Sequence, residues 1–283
     1  MKMVAASKLH RTQQAVEGMR PYERALQEML TRLQATTAAT SVVQTQVGEE
    51  VPDRIKEKEE VAMAHPVVAL MLFTSNSSLC GSFNANAIRH FYTELDALHA
   101  AGIDNTDIRI CTIGKKGADA VRRSGLTSWM DYSVLAEHPT GQGVSELADK
   151  LLHAYNNGEI GSLRLIYNHY VSNASQPTVV EELSFPSSLT IHVSHAGGRC
   201  GEFIVEPSCE ELLSALQPRV FRQKLFSTLL DAQAAEHAAR VVAMQIASDN
   251  ADKLLEELTL EYNKSRQQKI TFEILDLVGG QQR

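Results

Sequence analysis

The sequence predicts a mixed α+β and α/β protein, in which both termini form one long antiparallel two-helix coiled coil and a small α/β domain is inserted between them. Three observations predict it. Both ends carry apolar or small residues in alternating steps of three and four, the 3.5-residue period of a coiled coil. The middle of the chain switches to short apolar runs that alternate with helical patterns, as in strand–helix–strand units. After Pro218 no Gly or Pro occurs until Gly279, leaving about 60 residues that would span ~90 Å as a helix, beyond the length of ordinary globular helices.

The expected organisation is an N-terminal helix over 1–48, a charged connector over 49–66, the α/β domain over 67–206 and a C-terminal helix over 207–283. The first helix is under way in Met1–Lys8. From Thr12 onward its seam reads Ala15, Met19, Tyr22, Leu26, Met29, Leu33, Thr36, Thr40, Val43 and Val47. Pro21 should kink it, and Gly48 and Pro52 supply stops. Such a seam is poor in Leu and Ile, so the helix needs a partner.

Between Glu49 and Glu60 charges dominate, as in a solvated connector. The run Val67–Phe73 then reads as a strand buried on both faces, with a second candidate at Ile108–Ile113. Helices are expected at Asn84–Leu98, Lys115–Arg123 and Ser145–Tyr155. An alternating strand carrying Leu163, Leu165, Tyr167 and His169 follows the last of these. Further strands are expected at Thr178–Leu183, Leu189–Val193 and Phe203–Val205. This alternation makes the inserted domain Rossmann-like.

Ser208 and Glu211 have capping-box spacing before Leu212 and Leu213, which opens the last helix. Pro218 should interrupt it. Its seam steps through Leu230, Ala234, His237, Val241, Met244, Ser248, Ala251, Leu255, Leu258, Tyr262 and Ser265. Two weak seams at opposite ends favour pairing within one chain, although each would also pair with a second copy.

Composition narrows the function. The chain has 283 residues, 43% of them hydrophobic, and a net charge of -7, which argues against a nucleic-acid coat. Its longest apolar run falls well short of a membrane span. Cys80, Cys111, Cys200 and Cys209 have neither C-x-x-C spacing nor a His partner pattern, so a zinc site or disulfide framework is disfavoured. Met1 opens into a helical pattern rather than a signal peptide.

Candidate chemistry is sparse. Gly114–Gly117 follows a strand and opens a helix, where backbone N–H groups can hold phosphate, but the P-loop and dinucleotide spacings are missing. Cys80 sits just after a strand, the place of an exposed nucleophile, with no base supplied by the sequence. Glu236 and His237 do not form a metal motif, because Val241 occupies the position of the second His. His195–Cys200 reads as a turn. The cations of the terminal helices, among them Lys8, Arg11, Arg240 and Arg266, form a polar flank that can orient acidic partners.

The run Ala234–Gly280 closely resembles the gamma subunit of F-type ATP synthase, the central rotor shaft. Met1–Leu9, the Arg20–Pro21–Tyr22 turn, Ser78–Ile88, Ile113–Gly117 and Pro207–Leu213 join it in the family's order, from end to end of the chain. The resemblance implies a noncatalytic subunit without cofactor, metal site or nucleic-acid partner. It implies a shaft standing inside a hexamer of alpha and beta subunits, with the epsilon subunit and the membrane proteolipid ring at its foot. Rotation would couple proton or ion flow to ATP synthesis, at the cytoplasmic face of a bacterial inner membrane and without lipid insertion.

By the same resemblance, Arg266, Gln267 and Thr271 match positions that touch a loop of a catalytic subunit. Arg240 matches an arginine facing the N-terminal helix, and Met244, Ala251, Leu255 and Leu258 fall at helix–helix contacts of the shaft. The family carries about twenty residues ahead of the match to Met1. Its Asp-Arg-Gly is here Asn76, Ser77 and Ser78, Ser82 replaces a glycine, and Gln281 replaces an alanine. The insertion with a cysteine pair that marks plastid members is not seen. Two other readings stay open: a free-standing coiled-coil scaffold that dimerises through its helices, and a nucleotide-dependent enzyme whose α/β domain holds a phosphate at Gly114–Gly117.

Overall fold

The computed structural model describes residues 2–45, 67–183, 185 and 209–280, with side chains placed over 2–33, 67–183, 185 and 211–277. The connector over 49–66 and the strands expected at Leu189–Val193 and Phe203–Val205 lie outside the described residues, as does the His195–Cys200 turn.

The first helix, α1, runs over Lys2–Thr45 and is unbroken at Pro21. Its buried face is Ala5, Leu9, Thr12, Leu26, Leu30 and Leu33, with half-buried Val16, Met19 and Glu23 between. Every step along this series is four or three, so the heptad period holds. The seam is nevertheless displaced from the expected one. Met19, Leu26 and Leu33 belong to both, but Ala15 faces solvent, and Tyr22 and Met29 are 53% and 44% exposed. The reason is Glu23: it takes a seam position by accepting a hydrogen bond from Ser227 Oγ at 3.1 Å. An apolar count favours its neighbour Tyr22 instead.

The last helix spans Cys209–Gly280, 72 residues, or about 108 Å. It is antiparallel to α1. Leu26 and Leu33 pack on Leu216, Leu9 packs on Ala234 and Ala238, and Lys2 Nζ donates to Gln245 Oε1. Pro218 does not interrupt this helix. A mid-helix proline costs about 3 kcal/mol through its lost N–H and steric clash. Here Leu212, Leu213, Leu216 and Val220, on both sides of it, are all held against α1, and that packing outweighs the cost.

Between the shaft helices lies a five-stranded sheet in the order β3-β2-β1-β4-β5. The strands are β1 Val68–Phe73, β2 Ile108–Ile113, β3 Ser128–Asp131, β4 Ser162–Asn168 and β5 Thr178–Leu183. All neighbours are parallel except β4 and β5. The intervening helices are α2 Phe83–Ala100, α3 Lys115–Arg123, α4 Ser133–Glu137 and α5 Gly141–Asn156, so the Cys209–Gly280 helix is α6. The sequence signal missed β3 and α4, which are short and have only partly buried or few apolar residues.

Strand β1 is buried along its whole length, as a central strand covered on both faces must be. Val68, Leu70 and Leu72 point to α2, against Ala87, Phe91 and Leu95. Ala69, Met71 and Phe73 point the other way, into a core with Val144, Leu147 and Leu151 of α5 and Phe221, Leu225 and Leu229 of α6. The shaft helix is thus also the cover of one sheet face. That double duty explains the alanines of α6: Ala232, Ala234, Ala235 and Ala238 are all buried, touching the α/β domain on one side and α1 on the other. Small side chains let three elements approach one another closely.

Candidate functional site

The sheet order reverses at β1, because the chain leaves it leftward to β2 and later crosses to β4 on its other side. In doubly wound sheets the crevice at the C-terminal ends of such strands is the usual ligand site. Here the shaft fills it. Cys80 and Phe83, after β1, pack on Ala235 with Tyr170 and Ala239 alongside. Asp231 accepts from His169 Nδ1 at 2.6 Å and from the Tyr170 backbone N–H at 3.3 Å, just past the end of β4. Burial raises the Asp231 carboxyl above its usual range, while His169 works the other way. Tyr170 Oη in turn accepts from Gln13 Nε2 of α1 at 2.7 Å, so domain and both shaft helices meet here.

Asp231, Tyr170 and Gln13 were not singled out from sequence, and His169 was read only as a strand residue. One signal was available, since Asp231 is the only charge between Lys224 and Glu236, and an isolated acid in an apolar helical stretch needs a partner.

The Gly114–Gly117 turn is committed to the fold. Lys115 N–H donates to Asn76 Oδ1 at 3.0 Å, Lys116 N–H to the Ser75 carbonyl at 3.2 Å and Gly117 N–H to Thr74 Oγ1 at 2.8 Å. The donors that would hold a phosphate at a helix N-terminus already serve the loop after β1. A Cβ on Gly114 would stand 2.1 Å from the Thr74 carbonyl oxygen, so glycine is required by the close approach of two backbones.

Cys80 is 2% exposed and receives Asn84 Nδ2 at 3.1 Å, with Ser75 Oγ at 3.7 Å. None of these groups is a base able to generate a thiolate. The second described thiol, Cys111, is pushed up to about 12 by burial. Among the described residues no group of His, Cys, Asp and Glu has metal-binding geometry.

Arg240 reaches Ser77 Oγ and Glu236 Oε1, each at 2.7 Å. It therefore ties the shaft to the loop after β1. Burial raises the Glu236 carboxyl, opposed by Arg240 and by Lys8 of α1. Met244 is half-buried.

Ala251, Leu255 and Leu258, expected at helix–helix contacts of the shaft, have no helix beside them among the described residues. Ala251 is exposed, and Leu255 and Leu258 are 67% and 56% exposed. Lys2, at the start of described α1, lies level with Gln245, so no described helix runs beside them. Arg266, Gln267 and Thr271 stand on the same bare stretch, exposed, with Thr271 Oγ1 returned to the Gln267 carbonyl at 2.8 Å. From Asn263 to Thr271 the only charges are Lys264, Arg266 and Lys269, a cationic band on a helix that is acidic on both sides of it. No described helix is long and apolar enough to cross a membrane.

A doubly wound domain whose crevice is occupied by one of two long antiparallel helices, the longer running far beyond the domain, defines a stalk protein. A family model described as ATP synthase matches residues 1–282. The chain is 42% identical over 281 residues to the ATP synthase gamma chain of Phocaeicola vulgatus, covering 99% of this chain and 91% of the relative. It is 35% identical over 283 residues to that of Desulfitobacterium hafniense, covering 99% and 90%. Its fold matches a chain in the central stalk and c-ring structure of the Tetrahymena thermophila mitochondrial ATP synthase. The TM-score is 0.57 at 22% identity, covering 88% of this chain and 97% of that one. A chain in the Euglena gracilis mitochondrial ATP synthase matches with TM-score 0.56 at 18% identity, covering 97% and 93%. The chain belongs to the ATP synthase gamma-chain family.

Proposed function

We propose that the chain is the central-stalk rotor subunit of an F-type ATP synthase and is itself noncatalytic, transmitting rotation between a membrane proteolipid ring and the catalytic sites. The observation that carries this reading is the asymmetric shaft. α6 is 72 residues long, is sandwiched between α1 and the α/β domain over Phe221–Ala238, and extends far beyond that domain. A long shaft with a domain clasped to one side is asymmetric, so rotation at its foot presents different contacts to each surrounding site.

The bare stretch stands inside a hexamer of alpha and beta subunits. The cations Lys264, Arg266 and Lys269 favour an acidic partner surface through charge complementarity, and Arg266, Gln267 and Thr271 meet a loop of a catalytic subunit. The epsilon subunit and the proteolipid ring lie against the foot. The protein is peripheral, at the cytoplasmic face of a bacterial inner membrane. Arg240, paired with Glu236 on the same helix, donates to Ser77 and so helps hold the α/β domain on the shaft, through which torque entering the foot reaches the tip.

The test is the double substitution Arg266→Ala with Gln267→Ala in the assembled enzyme. Protons pumped per ATP hydrolysed should fall severalfold, while helix content by circular dichroism stays unchanged, because both side chains are exposed. Full coupling in this variant would remove the contact. Failure of the parent chain to co-purify with the catalytic hexamer would overturn the rotor reading itself.

A further inference from the structure

A cleft of ≈ 520 Å³ opens between α1, α6 and the turn joining α4 to α5, on the flank of the shaft away from the filled crevice. Lys8 and Arg11 line it from α1, and Phe226, Leu230, Gln233 and His237 line it from α6. Its volume is in the range of small-molecule sites. We infer that this cleft binds a small organic carboxylate with an apolar body, the carboxylate on His237 and the flanking cations and the hydrocarbon on Phe226 and Leu230.

The polar side of the argument is His237. Its ring is 6% exposed, and its single polar contact is Arg240 Nη1, at 3.5 Å from Nδ1. An arginine N–H only donates, so this contact belongs to the tautomer in which Nδ1 accepts and the ring proton sits on Nε2. That N–H has no acceptor among the described residues. Burial, with Arg240 and Lys8, lowers the ring to about 4, so at neutral pH it donates while uncharged. Gln233 Nε2 is nearly as poorly served, reaching the carbonyls of Ala136 and Glu137 at only 3.5 and 3.4 Å, the outer limit of a hydrogen bond. Both donors open to the cleft rather than being sealed in the protein.

Two donors opening into the cleft beside Lys8 and Arg11 favour an anionic oxygen over a cation there. Glu137 on the rim is the one opposing charge in the lining, and the balance stays positive. A bare inorganic anion would leave Phe226 and Leu230 facing water, and an ammonium ligand would meet two cations. A carboxylate on a short hydrocarbon satisfies both sides.

The inference does not depend on the rotor reading, and the full-length chain tests it directly. Octanoate, acetate and octylammonium are titrated separately and followed by ligand-observed saturation-transfer NMR. Octanoate should bind at least about tenfold more tightly than either of the others. His237→Leu should weaken octanoate about tenfold, and His237→Gln, which keeps an N–H donor, by less than about threefold. Thermal unfolding followed at 222 nm checks that both variants fold. Octanoate and octylammonium binding equally, octanoate affinity unmoved by His237→Leu, or no octanoate binding at all would each overturn the inference, the last showing a cleft filled by water alone.

Discussion

At the residue scale, the buried polar groups of α6 make the most specific demands on their surroundings. His237 has an ordinary pKa near 6.5 in the unfolded chain and about 4 in the folded one. Between these values the unfolded chain takes up a proton that the native ring refuses, so its contribution falls as pH drops from about 6.5 toward about 4 and is constant below. Glu236 and Asp231 run in the opposite sense, since burial raises both carboxyls and acid then favours the folded state. Comparison with His237→Gln isolates the histidine. Urea unfolding at pH 7 and pH 4 should show the parent losing up to roughly 3 kcal/mol relative to the variant. A gap that does not change with pH would show that His237 titrates normally.

Gly114 makes a different demand, steric instead of electrostatic. Its φ of +110° and the 2.1 Å approach that a Cβ would make to the Thr74 carbonyl oxygen leave no place for a side chain. Gly114→Ala should lose roughly 3 kcal/mol of stability in urea unfolding. Gly158→Ala is the control: φ is +75° with nothing within 4 Å of the added carbon, so its cost should be limited to about 1 kcal/mol of left-handed backbone strain.

At the scale of the element, the two shaft helices test how far periodicity can be trusted. The period of α1 was legible, but its phase was not, because Glu23 holds a buried position through Ser227. A pattern search scores Tyr22 above a glutamate, although only the three-dimensional partner decides between them. The phase can be measured. Leu30→Ala, at 4% exposure, should cost about 3 kcal/mol, and Met29→Ala, at 44%, about 0.5 kcal/mol or less in thermal or urea unfolding. Equal costs would restore the expected seam. The same lesson holds in the sheet. The central strand was legible from the apolar run Val67–Phe73, because burial on both faces leaves no other pattern. β3, a short strand of four partly buried or exposed residues, carries no such constraint. Pro218 was read as a break from its local cost alone, which long-range packing on Leu26 and Leu33 overrides.

At the scale of the whole molecule, stability is divided unevenly along α6. Over Leu225–Ala238 the helix is enclosed by α1, α5 and the sheet, whereas from Ile246 onward it shows Leu254, Leu255, Leu258, Leu260 and Phe272 to solvent. Backbone hydrogen bonds without tertiary cover open locally at low free energy. Hydrogen exchange on the isolated chain should therefore protect 225–238 by at least about a hundredfold over 250–277, and assembly with the catalytic hexamer should raise protection in the second segment. Uniform protection in the isolated chain would mean that the bare helix is covered in solution by something else, such as a second copy.

The sequence by itself determined the two long helices, the central strands of the inserted domain, the poverty of catalytic motifs and the family. These follow from period, from chain-long patterns of Gly and Pro, and from motif order, all of which are local or cumulative properties. Tertiary structure alone decided the phase of the seam, the passage of α6 through Pro218 and the occupation of the sheet crevice by the shaft. It also joined Asp231 to His169, spent the donors of the Gly114 turn on Thr74, Ser75 and Asn76, and left Leu255 and Leu258 bare. Each of these depends on which groups meet across large sequence separations, and a helix gives the same 3.5-residue signal whichever neighbour finally covers it.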